Sequence, residues 1–165
     1  MLDYYSELVT KYRTKGVLVD TNLLLLLLIG RFDRDRIRRF KNTSAFTVDD
    51  YDLLEAILGL VQRFVTTPHI LTEVSNLSSQ LGDPVRSDLF AELPAMLAGM
   101  EEYHVAFPAA CSEPCFTRLG LTDSAVVQLV VGRYLVVTTD ADLYIYLDEV
   151  GGDVINFSHI RPLWE

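Results

Sequence analysis

Apolar residues recur at three- and four-residue spacings near the start of the chain, at Leu2, Tyr5, Leu8, Val9 and Tyr12. The spacing predicts a short amphipathic helix over about 1–15, closed by Gly16. Residues 17–19 are continuously apolar and rich in β-branched side chains, as for a central parallel strand covered on both faces. The polar trio Asp20, Thr21 and Asn22 then interrupts the stretch GVLVDTNLLLLLLIG. Any of the three carries an oxygen that can cap a following helix, so the leucines read as the buried start of that helix.

The pattern continues as alternating helices and strands. In TVDDYDLLEAILGLVQRF, Thr47 precedes Asp50 by three residues in a capping-box arrangement, and Leu53, Leu54, Ile57, Leu58 and Val61 share one face. Residues 64–66 predict a second strand, and Pro68 opens a helix over HILTEVSNLSSQL. Residues 84–102 predict a helix interrupted near Pro94, and residues 104–107 a third strand. A cysteine and proline loop at 108–116 follows. LTDSAVVQLVVGRY predicts a helix capped by Thr122, YLVVTTD a fourth strand, DADLYIYLDEVGG a helix and DVINFSHI a last strand. Such alternation implies an α/β fold with a mainly parallel sheet, and no repeat or linker divides the 165 residues, which are treated as one domain.

Composition narrows the class. The run Leu23 to Gly30 falls well short of the roughly 20 apolar residues that span a bilayer, and the first fifteen residues mix acids and tyrosines where a secretory signal needs cations then apolar residues. A soluble, cytoplasmic chain is the expectation. Cys111 and Cys115 form a CxxxC pair around Pro114, and His69, His104 and His159 show no finger-like spacing, so ordinary loop packing is favoured over zinc or a disulfide.

The net charge of -9 is unevenly spread: residues 1–41 hold nine of the fourteen Lys and Arg against five acids. Arg31, Arg34, Arg36, Arg38, Arg39 and Lys41 are interleaved with Phe32, Ile37 and Phe40. The cluster is either a solvated loop or helix edge, or an arm that contacts phosphates through arginine forks.

Four acids fall at one predicted edge of the sheet. Asp20 ends the first strand, Asp140 ends the fourth, Glu73 lies near the start of the helix after the second, and Asp123 sits in the first turn of its helix. In a parallel sheet the ligand crevice lies beyond the strands' carboxyl ends. Crowded carboxylates repel unless some are protonated or a cation sits among them. All-oxygen donors suit Mg²⁺ or Mn²⁺, and one or two such ions can activate water and stabilise an in-line phosphoryl displacement. Each acid also has an ordinary reading as a cap, turn or solvated helix residue; their coincidence at one edge is what favours a site.

These residues resemble the PIN-domain family of metal-dependent nucleases. VLVDTN at 17–22 resembles its opening strand and Asp-Thr-Asn signature, ILTEVSNL at 70–77 its second acidic motif, LTDSAVVQLV at 121–130 its third, and VVTTDADL at 136–143 its terminal strand. The resemblance implies a three-layer α/β/α sandwich and an endoribonuclease using Mg²⁺ or Mn²⁺. Asp20, Glu73, Asp123 and Asp140 would form the acidic quartet, with Asp142 a fifth carboxylate reaching metal through water. Thr21 and Asn22 would orient Asp20, and Thr138 would position the carboxylates. RNA as substrate rests on this resemblance; DNA or nucleotides are open to the same chemistry, and an inactive PIN-like interaction module is the reading from another class. Many members are toxins of toxin-antitoxin pairs, often dimeric and silenced by an antitoxin. Tyr5, Tyr12, Phe157 and Trp164 would line a dimer contact or close the core. The chain departs from compact members in its N-terminal segment, the basic stretch 31–41 and the loop 108–116.

Overall fold

A computed structural model describes residues 2–163, and the side chains of residues 4–162. Five strands form one all-parallel sheet in the order β3-β2-β1-β4-β5. They are β1 (Val17–Val19), β2 (Phe64–Thr66), β3 (Met100–Glu102), β4 (Leu135–Thr138) and β5 (Val154–Asn156). Helices flank the sheet and complete a three-layer α/β/α sandwich. Strand β1 is central, with Leu18 in register with Val65 of β2 and Val136 of β4. Its three residues are all buried, as its uninterrupted apolar sequence requires.

Helix α1 (Leu2–Tyr12) belongs to the packed fold: Tyr12 Oη and Lys11 Nζ donate to Asp153 Oδ2 at 2.5 and 2.7 Å, beside the entry to β5. Helix α2 (Thr21–Phe32) is the centre of the core, with Leu23 to Gly30 all buried. It packs on α3 (Val48–Leu58), α4 (Pro68–Ser78) and α5 (Val85–Leu97). The capping box of α3 forms, Thr47 and Asp50 exchanging both hydrogen bonds. Among the described residues no helix is long and apolar enough to cross a membrane.

Three expectations are corrected. The third strand is Met100–Glu102, not residues 104–107. It is an edge strand, paired only with β2, and Glu101 and Glu102 are exposed, so its sequence lacks an apolar signature. Its anchor is ionic: Arg63 Nε and Nη2 donate to Glu101 at 3.0 and 2.8 Å. Helix α5 runs through Pro94 without interruption. Pro94 is exposed there, so water can satisfy the carbonyl its ring frees. The segment 108–116 is a loop only in part: α6 (Phe107–Cys111) takes up its first residues, and the turn 112–115 separates it from α7 (Phe116–Val130). Cys111 and Cys115 are free thiols, and buried Cys115 lies with its Sγ 3.6 Å from Ser124 Oγ.

Helix α8 (Ala141–Glu149) follows β4, and α9 (Phe157–Ile160) follows β5. Arg161 beyond α9 grips buried Asp50 with Nε and Nη2 at 2.6 and 2.7 Å, closing the C-terminal end onto α3. Tyr12 and Phe157 are core residues. Tyr5 is half-buried against that core, and Trp164 lies outside the described residues.

Candidate functional site

The connection out of β1 leads to β2 and β3 on one side, whereas β4 and β5 lie on the other. The carboxyl ends of β1 and β4 therefore flank the topological switch point, the place where a parallel sheet opens a crevice. Asp20 follows β1 and Asp140 follows β4. Each is the N-cap of the next helix: Asp20 Oδ1 accepts from Leu23 N at 3.0 Å, and Asp140 Oδ1 from Leu143 N at 2.9 Å. A capping carboxylate meets the positive end of the helix, which fixes its direction and eases its charge.

Asp20 is held further from the neighbouring strand. Its Oδ2 accepts the Thr138 hydroxyl and the Thr139 N–H, the latter at 3.0 Å. Thr138 Oγ1 in turn accepts from Asp140 N at 2.9 Å, so one threonine positions both aspartates. Burial nevertheless wins: it pushes the Asp20 carboxyl above the usual range, against the three donors that lower it.

Glu73 is placed by two helices. Thr21 Oγ1 of α2 donates to its Oε2 at 3.0 Å, and Thr122 Oγ1 of α7 donates to its Oε1 at 2.5 Å. Thr21 therefore orients Glu73 rather than Asp20, because at the first position of α2 its side chain turns toward α4. Asn22 lines the same cleft, but the contacts that hold Asp20 come from Leu23, Thr138 and Thr139.

Asp123 owes its place to a break in α7. Gly120 has φ +81° and ψ −173°, a backbone region essentially reserved for glycine, and a new helical piece starts beyond it. Thr122 and Asp123 stand in the first turn of that piece, and the Thr122 hydroxyl is spent on Glu73 instead of a cap. The Asp123 carboxyl is pushed up to about 7 by burial, then by Asp140, Asp20 and Glu73.

All four acids, with Thr21, Asn22, Thr122 and Leu77, line one open cleft of about 490 Å³, and no Lys, Arg or His lies among its lining residues. Asp142 is exposed in the first turn of α8 and is not in the lining. Of the six basic residues at 31–41, none borders this cleft. Thr122, Thr139 and Gly120 were not singled out by sequence for these roles; the glycine directly before LTDS was the available signal for the break.

Among the described residues no three His, Cys, Asp or Glu side chains form a ready-made metal cage. The donor set still fits a hard divalent ion. It is all oxygen, its charge is uncompensated, and Mg²⁺ keeps several waters and needs only one or two carboxylates directly. Comparison with family models, with curated proteins and with solved structures finds no match to this chain.

Proposed function

We propose that this protein is a divalent-metal-dependent endoribonuclease of the PIN type. The observation that carries the reading is the convergence of Asp20, Glu73, Asp123 and Asp140 on one cation-free cleft at the switch point of the sheet. Left alone, four carboxylates would repel both one another and a phosphodiester. A hard divalent ion removes both penalties, which is the function best matched to a cluster that otherwise only costs stability.

Asp20 and Asp140 would hold the ion with carboxylates aimed by helix N–H groups and by Thr138. Glu73, clamped by Thr21 and Thr122, would complete the set from the opposite wall. Asp123 exchanges its proton near neutrality in the ion-free chain, so ion binding is coupled to proton release there. Bound Mg²⁺ or Mn²⁺ supplies water activation and charge stabilisation for the displacement at phosphorus. The toxin half of a toxin-antitoxin pair is the particular role that the family resemblance suggests.

The test is incubation of labelled RNA and DNA with Mg²⁺, with Mn²⁺ and with chelator, beside Asp20→Asn. RNA cleavage that needs the ion and the Asp20 carboxylate is the expected result. Cleavage that survives chelator or the substitution would exclude this site. Cleavage of DNA alone would reassign the substrate, and an inert wild-type chain would favour an interaction module.

A further inference from the structure

The cations of residues 31–41 fall into two groups. Arg31 Nε pairs with Glu55 at 3.2 Å, Arg34 Nη2 reaches both Asp52 oxygens at 2.6 and 2.7 Å, and Arg36 Nε lies 3.3 Å from Asp33. Arg31 and Arg34 tie the segment to α3, whereas Arg36 Nε is buried and makes no hydrogen bond in spite of its nearness to Asp33. Arg38, Arg39 and Lys41 are exposed, and among the described residues none has a carboxylate partner.

Arg39 and Lys41 open onto a cleft of about 410 Å³ that Arg36, Phe40 and Gln80 also line. Its walls are fixed: Ile37 and Phe40 are buried anchors, and Asn42 Nδ2 donates to Leu77 O at 3.4 Å and to Gln80 Oε1 at 3.1 Å. Of the acids nearby in sequence, Asp33 lies beside Arg36 and Asp83 is paired with Arg86 and Ser87, while Asp35, which has no side-chain partner among the described residues, does not line the cleft.

The placement relative to the acidic cleft is what gives this basic cleft a role. Glu73, Leu77 and Gln80 are spaced i, i+4 and i+7, one face of α4 and the turn that extends it. Leu77 borders the acidic cleft and Gln80 borders the basic one. Seven residues rise about 10 Å along a helix, the axial span of about three stacked nucleotides.

We infer that the Arg39, Lys41 and Gln80 cleft is a phosphate subsite, holding the backbone of a nucleic-acid strand about three nucleotides from the bond at the acidic cleft. The inference rests on the nuclease reading for its substrate. Guanidinium and ammonium groups free of carboxylates bind phosphate oxygens, and on a chain of net charge -9 such a cluster lowers the repulsion that an anionic strand meets. The contact is to the backbone, so it sets register and not base preference.

The experiment compares wild type, Arg39→Ala/Lys41→Ala and Arg133→Ala, a control that removes one positive charge in the turn before β4, at the other end of that strand. Binding of a fluorescent 12-nucleotide single-stranded RNA is followed by anisotropy in chelator over a salt series, and cleavage of 12-nucleotide and dinucleotide RNA is followed with Mn²⁺. The double variant should lose about 1.4 from the salt slope, two contacts at about 0.7 each. Its KM for the long RNA should rise about tenfold with kcat within about twofold, and dinucleotide cleavage should not change. An unaltered slope and KM in the double variant overturns the subsite while the nuclease reading stands. RNA binding that depends on Arg39 and Lys41 without any cleavage keeps the phosphate site and overturns the nuclease reading. No RNA binding by wild type overturns the subsite outright.

Discussion

Thr122 on α7 donates its hydroxyl to Glu73 on α4 at 2.5 Å, joining two helices that approach the cleft from different parts of the chain. With Thr21 on the other carboxylate oxygen, Glu73 is gripped from both sides although it is exposed to solvent.

Thr122→Val keeps the shape of the side chain and removes the donor. Hydrogen bonds to charged groups contribute roughly 1.5–3 kcal/mol where they are shielded. We expect ion affinity, read by calorimetric titration with Mn²⁺, to fall by about tenfold with little change in thermal stability. An unchanged affinity would mean that Glu73 needs no clamp.

Asp123 ties stability to pH. Its carboxyl is raised in the folded chain from 3.8 to about 7, so between these values the folded state binds more proton than the unfolded state. The contribution of Asp123 to the stability of the ion-free protein is therefore greatest at the acid end of this window and is lost as pH rises toward 7, levelling off above it. Asp20 is raised too and acts in the same sense. Asp83, Glu101 and Asp153 are lowered by Ser87, Arg63 and Lys11 respectively, and their contribution is lost only as pH falls below the ordinary carboxylate range. Asp123→Asn should remove most of the decline and raise the ion-free Tm at pH 8 by about 3–6 °C, at the expense of cleavage. A decline that is the same in the variant would assign it to other groups.

Gly120→Ala isolates a backbone effect, since a Cβ there meets nothing within 4 Å. The φ of +81° with ψ near 180° is costly for any L side chain, by about 1–3 kcal/mol. Urea unfolding should show a loss of that size, and activity should drop as the first turn carrying Asp123 shifts. Wild-type stability in the alanine variant would show that the break relaxes freely.

Asp50 closes a capping box with Thr47 and takes both arms of Arg161 while only 6% exposed. Asp50→Ala removes a cap worth about 1 kcal/mol and strands a guanidinium, for a total of about 3 kcal/mol. Chemical denaturation measures it directly, and a cost below about 1 kcal/mol would mean that Arg161 finds another partner.

Much of this was legible along the chain because it depends on neighbours within one element. The capping box at Thr47 and Asp50, the buried strand 17–19 and the helix of leucines after Asp20 follow from spacing and residue type, and each stands where expected. Strand β3 was not legible, because an edge strand of Met and Glu is specified by its pairing with β2 and by Arg63, not by its own hydrophobicity. Nor could the sequence sort the arginines at 31–39, because Glu55 and Asp52, the partners of Arg31 and Arg34, lie on another helix.

The sequence by itself determined that acids terminate apolar strands and open helices in an alternating α/β order, since a carboxylate at that junction is fixed by caps within three residues. Only the tertiary structure decided which of these acids meet and what holds them. Asp20 is held by Thr138 across 118 positions, and Glu73 by Thr21 and Thr122 across 52 and 49. Contacts at such separations exist only once parallel pairing has set β4 beside β1 and packing has set α7 beside α4.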